Sequence, residues 1–336
     1  MSTTTAPEFL IETRGSTREF GAYVVGIAHC RATGTPGFGL GDGALRVGLD
    51  GAPHQVHRGA VLAIAADCKA GFLTGGDDGK LATTTDATTI LGDYGNRWVE
   101  HVAAHPAGVR AAACGKMLHV LDGAGAPRKS LAHPSTVSGV DIDAKGKRLV
   151  ASHYNGASMW FFAAKEDKPR VLEWKGSHGM VLFHPDGDHV VTAMQENTLH
   201  GWRLTDGQHM RMSGYPAKTK SMAFTAKGRW LATAGAESVV LWPFFGGGPM
   251  GKPPQELAGG DAVICTQIAA HPDHEVVAAG FADGLVLVAE IASGKVLPIA
   301  PPGRGGISAL AWHPKGHALA FGTEAGHAAV VDFSGR

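Results

Sequence analysis

Paired cysteines are missing from this sequence: Cys30, Cys68, Cys114 and Cys265 stand far apart, with no C-x-x-C among them. Free or buried thiols in a reducing compartment fit that scatter. Net charge is missing too, because 30 basic residues balance 30 acidic ones, so the chain offers no electrostatic footprint for nucleic acid or an acidic membrane. No apolar run reaches the length of a membrane span, and the opening MSTTTAPEFLIETRGSTREF has neither the basic start nor the apolar stretch of a signal peptide. The expected location is cytoplasmic. Helical periodicity is absent over any useful length.

Catalytic signatures are equally scarce. No G-x-S-x-G elbow occurs, and Ser177 beside His178 falls in a loop, where sequence neighbours do not make a triad. The stretch GGGPMGK at 246–252 nearly spells a phosphate-binding loop, but Pro253 occupies the position that needs Ser or Thr, and PPQELAGG cannot open the required helix. It reads as a long surface connection. No general acid and base pair is identifiable from spacing, and no cofactor is expected.

Glycine is abundant, at 48 residues beside 18 prolines, and the two punctuate a repeat. FHPDGDHVV at 183–191 and WHPKGHALA at 312–320 share a His-Pro before a polar turn. Aligned on the residue that precedes the turn, the phrase recurs at Cys30, Asp67, His105, Asp143, His184, Thr225, His271 and His313. Three residues upstream stand Ile27, Ile64, Val102, Val140, Val181, Met222, Ile268 and Leu310, all apolar. One residue upstream is also apolar except at His29, and positions two apart share a strand face. Each phrase is thus the end of a strand whose core side is marked.

A second short apolar run follows each turn, then a tight turn, then a third run such as SVVLW at 238–242. Asp42-Gly43, Asp78-Gly79, Asn155-Gly156 and Asp283-Gly284 supply the positive φ angles that such hairpins demand. Three short antiparallel strands and a looser fourth in roughly 40 residues make a β-propeller blade.

The pattern resembles the WD-repeat β-propellers, as a degenerate member of bacterial type, over roughly residues 20–333. In that family a histidine before the inner strand, a Ser or Thr on the second strand, an Asp in the next turn and a Trp on the third form a hydrogen-bonded network. His57 and His133 match the histidine, while Trp174, Tyr215, Asp261 and Gly303 replace it elsewhere. Trp202 and Trp242 match the tryptophan, Trp160 sits one residue early, and Asp42, Asp78 and Asp283 match the aspartate. The WD dipeptide itself never occurs.

The fold expected is all-β: one propeller domain over 1–336 with four-stranded antiparallel blades, eight in number, seven being the alternative. The repeats run approximately over 20–50, 57–91, 95–131, 133–173, 174–213, 215–257, 261–298 and 303–333. EFLIET at 8–13 is expected to close the ring as a strand beside VVDFSGR, hiding an edge.

Function follows as an expectation. With no committed active site, a non-enzymatic scaffold that binds a protein or peptide leads. The resemblance implies docking on the loops that lead into the inner strands, and there stand Arg97, Trp98, Trp174, Lys175, His178, Tyr215, Lys218 and Lys220, with His153, Tyr154 and Gln195 from adjoining turns. Exposed aromatics and arginine dominate binding energy once desolvated. A second reading is a metal-handling accessory protein, since His271, His313, Cys30, Asp67 and His105 are neighbours round the ring and all can ligate a transition metal. Sheets about 10 Å apart keep five such ligands from one ion whose ligands must lie within about 4 Å of each other. A third is a metal-dependent propeller hydrolase.

Overall fold

The computed structural model describes residues 8–259 and 262–335. Within the third repeat, Val99–His105, Val109–Cys114, Met117–Asp122 and Pro127–Ala132 form a meander, each strand antiparallel to the one before. The innermost strand is partly buried, the second is buried throughout and the outermost is mostly exposed. The second strand lies between neighbouring sheets and so reads VRAAAC here and VVAAGF at 276–281, apolar or small on both faces apart from Arg110.

All eight aligned phrases pair in one register. Ile27, Ile64, Val102, Val140, Val181, Met222, Ile268 and Leu310 lie opposite Phe38, Thr74, Ala112, Ala151, Thr192, Thr233, Ala279 and Phe321. The inner strand Val24–His29 packs against both Val61–Ala66 and Ile307–Trp312, so the first and last repeats are neighbours and the strands form a ring.

Two expectations need correction. The count of eight separate blades gives way to seven hydrogen-bonded sheets, six four-stranded and one six-stranded. The cause is the 14-residue strand Arg170–Phe183, whose first half pairs with Arg148–Phe161 and whose second half pairs with His189–Met194, so the fourth and fifth repeats share one sheet. The strand expected over 8–13 is not there either. Leu10–Arg14 is a helical turn, which lays the adjacent Leu10 and Ile11 against one apolar cluster with Ile299 and Val331. An extended chain would point them to opposite faces. The residues that run antiparallel along His327–Asp332 are Gly15–Glu19.

Neighbouring sheets meet closely because the second strand offers glycine to the start of the next inner strand. A Cβ at Gly322 would lie 2.4 Å from Val24 Cγ1, and one at Gly280 the same distance from Ile307 Cγ2. Side chains stitch the inner strands further: Ser308 Oγ donates to the Val24 carbonyl at 2.7 Å and Thr266 Oγ1 to the Ile307 carbonyl at 2.7 Å. Gly322→Ala should therefore overpack the joint between the last and first repeats and destabilise the protein by about 1–3 kcal/mol. Thermal melting checks this, and an unchanged melting temperature would contradict the packing described.

Candidate functional site

At the end of the ring where the inner strands finish, the aligned residues tie each repeat to the next, directly or, at Asp143, through an arginine of its own repeat. Cys30 Sγ accepts the Gly71 N–H at 3.2 Å. Asp67 receives two hydrogen bonds from the Arg110 guanidinium, at 2.6 and 2.9 Å. Asp143 holds Arg148 at 2.8 Å, and that guanidinium lies 5.1 Å above the Phe183 ring. Thr225 Oγ1 donates to Glu275 at 2.9 Å. His105 and His313 press against Gly146 and Gly34, where a Cβ would come within 2.4 and 1.9 Å of a ring nitrogen.

His271 shows why the motif is His-Pro. Proline has no N–H to give, so His271 Nδ1 accepts the next two amides, those of Asp273 and His274, each at 3.1 Å. Nδ1 is thereby fixed as the acceptor, and Nε2–H donates to the Gly316 carbonyl of the following repeat at 3.2 Å. His184 makes the same bond to the Gly228 carbonyl at 2.7 Å.

Cys30, Asp67, His105, His271 and His313 are thus engaged separately, and the structure does not gather them into one metal site. Burial raises the pKa of Asp67, but hydrogen bonds from Arg110, Thr83 and the Cys68 amide outweigh it and hold the carboxylate below its ordinary range. Among the described residues, the group of three ligand-type side chains with metal spacing lies at another turn: His184, Asp186 and His189. The sequence reading takes only His184 from that stretch. The signal for the others is H-x-D-x-x-H wrapped round one tight hairpin.

The opposite end carries the hydrogen-bonded networks. His57 Nδ1 lies 2.9 Å from Asp78 Oδ1 and its Nε2 3.0 Å from Thr74 Oγ1. Trp160 Nε1–H donates to His133 at 3.3 Å despite its early place in the sequence. Trp242 Nε1–H donates to the Tyr215 hydroxyl at 2.6 Å, and that hydroxyl also meets Thr233 Oγ1 at 2.6 Å. Tyr215 therefore stands in for the histidine inside the core, where burial raises its pKa to about 12. In the fifth repeat the histidine is His178, not a replacement by Trp174: Nε2–H donates to the Trp174 carbonyl at 2.9 Å and Nδ1 meets Thr192 at 2.7 Å. Trp202 Nε1–H donates instead to the Glu173 carbonyl at 3.3 Å. Asp283 accepts the Leu285 amide at 2.9 Å. Asp261 lies outside the described residues.

Of the side chains expected to meet a partner, His178 and Tyr215 are therefore buried structural groups. Lys218 is half-buried and tied to Gln195 Oε1 at 2.6 Å. Arg97 is exposed beside Trp98, which is 57% exposed next to the fully buried Val99. Tyr154 and Trp174, at 55% and 37%, line one open groove of about 560 Å³ with Pro134, Val171 and Lys175. Asn155, at φ 68°, makes the left-handed turn beside Tyr154, and its Oδ1 accepts the Gly176 amide at 3.2 Å, joining the groove's two walls. Trp174 rests face to face on His200, 4.0 Å between ring centres. Val171 and Pro134 carry no sequence signal of their own.

Between the inner strands runs a central cavity of about 450 Å³, with Lys218 and Lys220 at one end and His101 and Met180 in its wall. Asp141 Oδ2 accepts the Phe183 amide at 2.7 Å across two inner strands, and burial raises its pKa to about 7.

Antiparallel four-stranded repeats arranged in a ring define a β-propeller. A family model described as the anaphase-promoting complex subunit 4 WD40 domain matches residues 270–335, the end of the ring, in keeping with the resemblance of the repeat to WD-repeat propellers. No curated protein matches the sequence. Among solved structures, the crystal structure of the computationally designed Ika8 protein is similar, with a TM-score of 0.75 at 17% identity over 94% of this chain and 98% of that one. At that identity the likeness is one of fold.

Burial sets a pH dependence. Desolvation lowers His101, His133 and His313 to about 4 and His200 to about 3, each with added repulsion from a nearby histidine except His101. The unfolded chain takes up these protons near pH 6.5 while the folded one does not, so stability falls as pH drops from about 6.5 towards 4. Asp141, with its raised pKa, opposes the trend alone. The melting temperature should be level above pH 7 and clearly lower at pH 4.5; equal values would contradict the buried neutral imidazoles.

Proposed function

We propose that this propeller is a non-enzymatic scaffold that docks a protein or peptide across the rim formed by Trp98, Tyr154 and Trp174. WD-repeat propellers commonly serve as interaction scaffolds, and rigid rings with variable loops suit recognition. The observation that carries the reading is the exposure of three large aromatics, Trp98 on a loop and Tyr154 and Trp174 on paired strands, the last two in a single groove. Such side chains fall in the class that contributes about 2–4 kcal/mol each when a partner covers them. Arg97 and Lys175, both exposed, supply donors for a partner's carboxylates or carbonyls at the edge of the apolar contact.

Affinity capture from the native organism, quantified by mass spectrometry, tests this with Trp98→Ala plus Trp174→Ala and with Tyr154→Ala. Capture of a reproducible partner should fall at least about tenfold in both variants while the melting temperature stays near that of the parent. Undiminished capture by both would place the docking surface elsewhere.

A further inference from the structure

The turn at 184–189 contains a contact that needs a cation. His184 Nε2–H is committed to the Gly228 carbonyl at 2.7 Å, which leaves the single Nδ1 lone pair, 3.3 Å from the Asp186 amide nitrogen, as the ring's acceptor. That same Nδ1 lies only 2.5 Å from Asp186 Oδ1. A ring nitrogen lone pair and a carboxylate oxygen repel at this distance unless a proton or a metal ion stands between them.

His189 adds the independent observation. It is 93% buried, taking its 7% exposure from the whole, and neither ring nitrogen has a hydrogen-bond partner. Each unsatisfied buried nitrogen costs about 1–3 kcal/mol. One ligand atom each from His184, Asp186 and His189 lie within 4.8 Å of one another. Zinc holds nitrogen and oxygen ligands at about 2.0–2.2 Å, which spaces them about 3.4 Å apart. The Asp186 side chain is 55% exposed, so its carboxylate has room to turn about the Asp188 amide and close the difference.

We propose that His184, Asp186 and His189 bind a divalent transition-metal ion of the zinc class, with the remaining coordination open to water. Two imidazoles and one carboxylate are the donor set such ions favour over magnesium or calcium. The supporting groups are present: the Gly228 carbonyl orients His184, and the Asp188 amide donates to Asp186 Oδ1 at 2.9 Å. The neighbouring Arg203 guanidinium is paired with Asp206 at 2.9 Å, which offsets its repulsion of a cation. Asp188, exposed on the same turn, adds negative potential.

The test uses the full chain purified without a histidine tag and stripped with a chelator, titrated with zinc chloride by calorimetry and with cobalt chloride by visible absorption. One zinc per chain should bind, raise the melting temperature and displace cobalt. His189→Ala and Asp186→Asn should each weaken zinc at least about tenfold. Asp186 is exposed, so its variant decides the matter if His189→Ala fails to fold. No uptake by the parent, or parental affinity in Asp186→Asn, would overturn the proposal, the latter by assigning the ion to other histidines.

Discussion

One kind of contact repeated round the ring holds this structure together: the end of each inner strand is tied to the next repeat, by the aligned side chain itself or, at Asp143, through the Arg148 that it holds. A four-stranded sheet with two apolar faces cannot stand alone in water, so each repeat needs its neighbours. Burial of the second strands supplies the attraction without much direction. The turn contacts supply position, because a bidentate Asp67–Arg110 pair or an imidazole against a glycine carbonyl is satisfied in only one register. Chemically different residues do this in different repeats, which explains why the aligned column mixes Cys, Asp, Thr and His.

That mixture also governs what was legible in the sequence. The period and the apolar inner positions followed from alternation alone. Features that depend on a partner in space did not. Tyr215 looked like an exposed aromatic because it occupies a loop, yet its hydroxyl completes a network with Thr233 and Trp242. His178 was hidden as network histidine because its strand begins without a break from the preceding repeat, the same continuity that reduces the number of separate sheets. Leu10 and Ile11 alternate acceptably for a strand, but both find the same cluster, and a helical turn is the geometry that allows it.

The two ends of the ring then divide the work. One end is dense with latches, and there a single hairpin departs from the pattern by bringing His189 and Asp186 to a latch histidine. The other end spends its buried polar groups on internal networks and leaves Trp98, Tyr154 and Trp174 to solvent. Recognition on one end and an ion on the other are compatible, since neither draws on residues the other uses.

A double-mutant cycle on Asp67 and Arg110, measured by equilibrium denaturation, tests the inter-repeat contact most directly. The account predicts that either single alanine substitution costs about 3–5 kcal/mol, since each strands a buried charge, and that the two are coupled by more than about 1 kcal/mol. Losses that are small and simply additive would show that the turn contacts do not hold neighbouring repeats in place.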